Sequence, residues 1–182
     1  MIETERLILR KWREEDIEPF TKINQDPKVT EFLRGSMDFA AAKLFIQDAN
    51  EAIEKYNFGL WAATLNETKQ LIGYIGLNIP KFEAHFTPCV EIGWRLGFKF
   101  WGKGYAPEGA KACLEYGFNK IGLDEIISFT AVGNAKSIRV MEKIRMKRDG
   151  NGNFKHPQLS ENHPLSEHVL YRIKKSDWQN LR

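Results

Sequence analysis

Residues 90–122, VEIGWRLGFKFWGKGYAPEGAKACLEYGFNKIG, read as a strand, a glycine-bearing loop and a helix, and that succession decides the fold. Val90, Ile92, Trp94 and Leu96 alternate with Glu91, Gly93 and Arg95, the period of two that puts one set on each face of a half-buried strand. Trp101-Gly102-Lys103-Gly104-Tyr105-Ala106 follows. Pro107 and Glu108 then suit a first helical turn, one by its fixed φ and the other by its charge. Two glycines let the backbone approach a ligand closely, the unpaired N–H groups of the new helix point to the same spot, and Lys103 adds a positive charge. The loop is therefore a candidate anion site. A GxG by itself is as readily a plain turn; its place between an alternating strand and an amphipathic helix favours phosphate.

The stretch resembles the GNAT superfamily of acyl-CoA-dependent N-acyltransferases, whose signature of Gln or Arg, two residues, Gly, one residue, then Gly or Ala wraps the pyrophosphate of coenzyme A. Gly104 and Ala106 match it. Trp101 stands where Gln or Arg is usual, and WGKGYA after EIGW is similar to the branch containing ribosomal-protein N-terminal acetyltransferases. The likeness runs from TERLILR at residues 4–10 to the last strand. It implies acetyl-CoA as cosubstrate with no metal, bound by Trp101, Gly102, Lys103, Gly104, Tyr105 and Ala106. It also implies two central strands that splay to admit the pantetheine arm, with Trp94, Arg95 and Leu96 pairing to its amides through their backbone. Asn134 and Ser137 would then lie close to the thioester.

A chain of 182 residues is long enough to bury about 70% of its unfolded surface as one domain without a staple. The net charge of +3 and the pI near 8.8 are mild, and the basic residues are interleaved with 24 acidic ones, which gives nucleic-acid binding little support. Cys89 and Cys113 lack metal-ligand spacing and read as reduced and partly buried. The N-terminus shows no secretory signal, and nowhere do about 18 apolar residues run together. The expectation is a cytoplasmic protein, monomer or homodimer, with no membrane partner.

Along the chain, residues 6–10 form a short apolar strand, and Glu14 to Asn24 a helix with Ile17, Phe20 and Ile23 on one face, closed by Asp26-Pro27. Thr30 to Ser36 is loop-like. From Phe39, capped by Asp38, a second amphipathic helix carries Ala42, Phe45, Ile46, Ala49, Ile53 and Tyr56, aromatics that read as core. Gly59–Leu65 and Leu71–Ile79 flank four polar turn residues and form a hairpin, whose first strand pairs with strand one. After the helix that opens at the loop and stops at Gly122, residues 125–132 form a strand. The strand–helix–strand succession makes it a parallel neighbour of residues 90–96. Asn134 caps a fourth helix, and residues 146–154 and 168–174 supply two last strands. The result is an α/β (α+β) chain forming a single domain over residues 1–182. Its mixed, mostly antiparallel sheet has about seven strands and a parallel central pair, which the resemblance implies is splayed, with about four helices on both faces.

Acetyl transfer to an amine needs a bound thioester, a deprotonated nucleophile, an oxyanion donor and a proton for the departing thiolate. A protein α-amine, with pKa about 7.7–8.0, demands only a weak base, whereas a lysine amine near 10.4 demands more. Glu91 is the candidate base, against a reading as a solvated or salt-bridged residue. By the resemblance Ser137 is the candidate acid or thiol partner, against an ordinary first-turn serine, and Asn134 is either a helix cap or part of the same site. Met141 stands where other branches place a catalytic tyrosine. A backbone N–H around Arg95 or Leu96 meets the oxyanion. The expected acceptor is a protein or peptide N-terminus, with a small amine as the alternative and a non-catalytic acyl-CoA-binding module as another class. An NAD-type enzyme is set aside because the full GxGxxG spacing is missing. His156, His163 and His168 match no metal-ligand spacing and read as ordered loop residues or acceptor contacts.

The loop reading has a direct test. Gly104→Glu is expected to abolish coenzyme A binding, measured by calorimetry on a variant with a native circular dichroism spectrum, because a side chain and a negative charge enter the pyrophosphate's space. Unchanged affinity would remove the phosphate assignment.

Overall fold

The computed structural model describes residues 1–180, and its order follows the hydrophobic periodicities. The strands are β1 (Ile2–Glu3), β2 (Leu7–Arg10), β3 (Leu60–Leu65), β4 (Leu71–Asn78), β5 (Glu91–Leu96), β6 (Glu125–Ala131), β7 (Lys147–Arg148), β8 (Phe154–Lys155) and β9 (Glu167–Lys174). The helices are α1 (Ile17–Gln25), α2 (Pro27–Thr30), α3 (Phe39–Tyr56), α4 (Tyr105–Tyr116), α5 (Ala135–Lys143) and α6 (Lys175–Gln179). All described strands join one sheet in the order β1-β2-β3-β4-β5-β6-β9-β7, with β8 also on β9. The expected hairpin is present as β3–β4, and β3 pairs with β2.

The sheet has nine described strands where about seven were expected. Residues 146–154, read as one strand, run beside β9 but pair only at β7 and β8. Asp149-Gly150-Asn151-Gly152 between them is turn chemistry: Gly152 N–H returns to the Asp149 carbonyl at 3.1 Å and pulls the middle out of the ladder. β1 adds a two-residue pairing ahead of β2. The described residues hold six α-helices, against about four expected, because Pro27 opens the short α2 under an Asp26 cap and α6 follows β9. Helix α4 widens into a π-turn over Gly117–Ile121 before the left-handed Gly122 stops it.

β4, LIGYIGLN, is buried from Leu71 to Leu77 because helices cover both faces of the sheet at its centre. One core holds Leu7, Leu9, Ile75, Leu77, Ile92 and Leu96 against Ala110, Cys113, Leu114 and Phe118 of α4 and its extension. A second packs Ile17, Phe20, Ala42, Ile46 and Ala49 of α1 and α3 on Ala62 and Tyr74. Gly109 lets α4 lie close to the sheet, since a Cβ there would sit 2.5 Å from Ile75 Cδ1.

β5 and β6 are parallel neighbours, as the crossover rule requires, but they share a single register pair, Glu91 with Ile127. On its other side β5 pairs with β4 along its whole length, from Glu91 with Asn78 to Leu96 with Gly73. The sheet is thus open between β5 and β6 from Gly93 onward.

Helix α5 ends in a Schellman motif: Met146 N–H reaches Met141 O at 3.0 Å and Arg145 N–H reaches Glu142 O at 3.0 Å. That geometry holds the exposed Arg145 at φ +67°, the left-handed region that costs a non-glycine residue about 1 kcal/mol. Arg145→Gly is therefore expected to raise Tm by about 2–4 °C in a thermal melt. A fall would mean that the arginine side chain makes a contact worth more than the strain.

Candidate active site

Gly102 and Gly104 have φ +74° and +84°, so the loop turns through conformations that only glycine adopts freely. Gly104 is also the N-cap of α4 and offers no side-chain cap, which leaves the N–H groups of the first turn free to meet an anion. The loop is pinned from outside the site. Arg6 donates Nε to Glu108 Oε2 at 2.6 Å and Nη1 to the Lys103 carbonyl at 2.9 Å, and its guanidinium carbon lies 4.7 Å from the centre of the Tyr105 ring. Thr4 Oγ1 and Arg6 N–H donate to the other Glu108 oxygen at 2.7 and 2.9 Å. Burial pushes the Glu108 carboxyl up, but these bonds together hold it below the usual carboxylate range.

Two cavities meet at the parted strands. One, of about 590 Å³, lies between the loop, with Trp101, Gly102, Gly104, Tyr105 and Ala106, and helix α5. Lys136, Arg139 and Lys143 line its α5 side, a basic stripe at three- and four-residue spacing. The sequence reading passed over these cations, although the stripe follows the Asn134 cap in plain view. Lys103, assigned to the site from sequence, is exposed and outside the cavity lining; its carbonyl serves Arg6 instead. Trp101 spends its indole N–H on the Leu96 carbonyl at 2.7 Å, with Lys136 Nζ 4.6 Å from its ring centre, so this tryptophan closes the loop onto β5. The donor set, a glycine cradle and a basic helix face, fits a polyanion such as coenzyme A.

The other cavity, of about 790 Å³, has β5 as its floor, with Glu91, Gly93 and Arg95 contributing to the lining. Desolvation raises the Glu91 pKa from 4.5 to about 8, with an Asn78 hydrogen bond pulling the other way. Glu91 is in no salt bridge within the described residues, which removes the salt-bridged alternative. Ser128 Oγ donates to the Ile92 carbonyl at 2.9 Å, a side-chain bond across the strands where the ladder stops. The Asn134 side chain is used structurally: Oδ1 accepts the Ser137 N–H at 3.2 Å and Nδ2 donates to Thr130 Oγ1 at 2.9 Å. The Ser137 hydroxyl has no protein partner within the described residues and lines both cavities, as does Asn134. Met141, on the tyrosine position of other branches, is buried.

The histidines divide. His163 Nδ1 accepts the Leu165 N–H within its loop at 3.1 Å. His156 and His168 lie with ring centres 5.0 Å apart among Phe82, Phe129 and Phe154, and both line the larger cavity. Burial, helped by the neighbouring imidazole and by Arg34, pushes His156 down to about 4; burial also lowers His168. Both are neutral at pH 7 and extend an aromatic wall. The described residues form no cluster of three or more His, Cys, Asp or Glu with metal-ligand geometry, and no described helix is long and apolar enough to cross a membrane.

A sheet opened between parallel neighbours, with an anion cradle at one mouth and a carboxyl-bearing floor at the other, defines a protein that brings a phosphate-bearing donor to a second substrate. The chain belongs to the GNAT acetyltransferases: residues 6–147 match the acetyltransferase (GNAT) domain family. It is 30% identical over 179 residues to the uncharacterized N-acetyltransferase YnaD of Bacillus subtilis, covering 97% of this chain and 98% of that one. A GNAT-family acetyltransferase structure from Bacillus anthracis superposes with a TM-score of 0.80 at 30% identity, covering 96% of this chain and 98% of that one. A spermidine N-acetyltransferase from Vibrio cholerae, solved with CoA and spermine, shares the fold at a TM-score of 0.74 and 19% identity, covering 97% of this chain and all of that one (100%). The enzyme is thus an acetyl-CoA-dependent N-acetyltransferase.

The raised Glu91 pKa makes stability depend on pH. The folded protein keeps a proton that the unfolded chain sheds near 4.5, so this stabilisation is fully present below that pH and is lost as pH rises through about 8. Glu91→Gln has no such titration. Its Tm is expected to gain on the wild type between pH 5 and 8 and to keep a constant lead above. Parallel Tm curves for the two proteins would show a solvated carboxyl.

Proposed function

We propose that residues 1–182 work as one domain that transfers acetyl from acetyl-CoA to the α-amine of a protein or peptide N-terminus by direct attack in a ternary complex. The observation that carries this reading is Glu91: a carboxyl on the cleft floor, held near pKa 8 by desolvation, is matched to an α-amine of pKa about 7.7–8.0. A base and an acceptor of similar pKa share a proton readily, directly or through one water, whereas a lysine amine near 10.4 would keep it. The WGKGYA loop after EIGW, similar to that of ribosomal-protein N-terminal acetyltransferases, supports the same acceptor class.

In this reading Gly102, Gly104, Tyr105 and Ala106 cradle the pyrophosphate with backbone N–H groups, while Trp101 holds the loop's entry and Lys103 adds to the positive field from outside. Lys136, Arg139 and Lys143 balance the remaining phosphate charge. Trp94, Arg95 and Leu96 offer backbone groups to the pantetheine amides where β5 leaves β6. A backbone N–H near Arg95 or Leu96 steadies the oxyanion, a fixed dipole that need not reorient. Asn134 positions Ser137 through the cap bond, and the free Ser137 hydroxyl relays a proton from solvent to the departing thiolate, while the amine's proton leaves through Glu91. A thiol near 8.5 needs only that modest assistance.

A second reading, a small-molecule amine acceptor, draws on the acceptor cavity, whose volume of about 790 Å³ lies within the range of small-ligand pockets. Following CoA release with N-terminal peptides and with amino acids, polyamines and aminoglycosides separates the two.

Glu91→Gln and Ser137→Ala are expected to lower kcat by about 10²- to 10⁴-fold with little change in acetyl-CoA affinity. The Glu91→Gln deficit should narrow above about pH 8, where the acceptor loses its proton unaided. Near-normal kcat with earlier melting in both variants would make these residues structural.

A further inference from the structure

Arg95 holds the permanent cation on the floor of the acceptor cavity, and nothing in the described fold neutralises it. Its Nη1 donates to Asn24 Oδ1 at 2.5 Å and lies 3.9 Å from the Met37 sulfur; its guanidinium carbon is 5.5 Å from the Tyr74 ring centre. Each partner is uncharged. Its Nε is buried and has no hydrogen-bond partner within the described residues. The other arginines that reach into the fold behave differently: Arg6 is paired with Glu108, Arg10 with Asp16, and Arg172 with Asp149 and Glu125. At the cavity rim, Lys81 is likewise matched by Asp48 at 3.2 Å.

A guanidinium partly withdrawn from water, with a buried, unpartnered Nε and no counter-ion, is costly, and a fold that tolerates it has left donors for a ligand. Asn24 supports this, because its own Nδ2 is committed to the Phe20 carbonyl at 2.7 Å, which fixes its oxygen towards Arg95 and so orients the fork. Gly93 lies between Glu91 and Arg95 on the same face of β5, and a Cβ there would meet nothing within 4 Å. The floor is therefore open between the carboxyl and the guanidinium. Glu91 and Arg95 are four residues apart, about 13 Å along the strand, and a hydrogen bond of about 3 Å at each end leaves about 7 Å between them. That is the reach from a peptide's α-amine to an acidic side chain on its first or second residue.

We infer that Arg95 is a specificity-determining residue that binds a carboxylate carried by the first or second residue of the acceptor. This deepens the N-terminal reading above and rests on it. The apolar surroundings, Tyr74, Met37 and the aromatic wall of Phe82, Phe129, His156 and His168, lower the local dielectric and strengthen a charge-assisted bond.

The test uses the full chain, acetyl-CoA and two pairs of hexapeptide amides that differ only in Glu or Gln, at position 1 in one pair and position 2 in the other. In at least one pair the Glu peptide is expected to be favoured by about 10- to 100-fold in kcat/KM, chiefly through KM. Arg95→Gln should bring that ratio to about one, and Arg95→Lys should keep part of it, because a point charge replaces a planar fork. A wild-type ratio near one in both pairs overturns the inference while leaving N-terminal acetylation intact. So does an unchanged ratio in Arg95→Gln, or a ratio unchanged while calorimetry shows lost acetyl-CoA affinity, which would assign the guanidinium to the coenzyme. If Arg95→Gln lacks a native circular dichroism spectrum, the wild-type ratio and Arg95→Lys decide. Acetylation of small amines with no peptide acetylated removes both the acceptor reading and this inference.

Discussion

The cleft exists because β5 and β6 are parallel strands that stay together for one residue pair, Glu91 with Ile127, and then part. Backbone polar groups at such a divergence need partners. Ser128 supplies one by donating its hydroxyl to Ile92 O, and β4 continues to hold β5 from the other side. Beyond that point the edge of β5 is open to a ligand, and the cavities on either hand meet there. Glu91, Gly93 and Arg95 reach the larger cavity because the pleat alternates, while Ile92 and Leu96 bury themselves against α4.

The loop at the other mouth depends on a clamp from the chain's beginning. Left-handed glycines give the loop freedom as well as shape, and freedom weakens a binding site by raising the entropy lost on binding. Arg6 and Thr4 counter this by gripping Glu108 from three directions and by bonding the Lys103 carbonyl. Glu108 sits in the first turn of α4, where its charge would compete with a bound anion; the Arg6 guanidinium at 2.6 Å neutralises that charge. The same pair thus orders the cradle and keeps its potential positive.

The two cavities differ in electrostatic character for reasons that lie in their walls. Basic residues spaced along α5 face the smaller one, suited to phosphate. The larger is walled by aromatic rings and by imidazoles that burial keeps neutral, so the ionisable groups of its floor are poorly solvated. That is why the Glu91 carboxyl holds its proton to about pH 8 and why an unpaired Arg95 stands out against them.

Local chemistry was enough to read the strand–loop–helix unit, the hairpin, the caps at Asp38 and Asn134 and the stop at Gly122, because alternation, capping side chains and glycine conformations act over a few residues. Less visible was the broken pairing of residues 147–155, since a short apolar strand and a turn-interrupted one look alike until β9 is beside them. The sequence by itself determined the family, the glycine loop at the mouth of α4 and which residues, Glu91 and Ser137, are candidates. Only the tertiary structure decided that Lys103 is exposed outside the cavity lining, that Arg6 clamps the loop from about a hundred residues off, that His156 joins an aromatic wall and that Arg95 has no counter-ion among the described residues. Those outcomes rest on burial and on partners supplied by distant segments, and neither is encoded in the spacing of neighbouring residues.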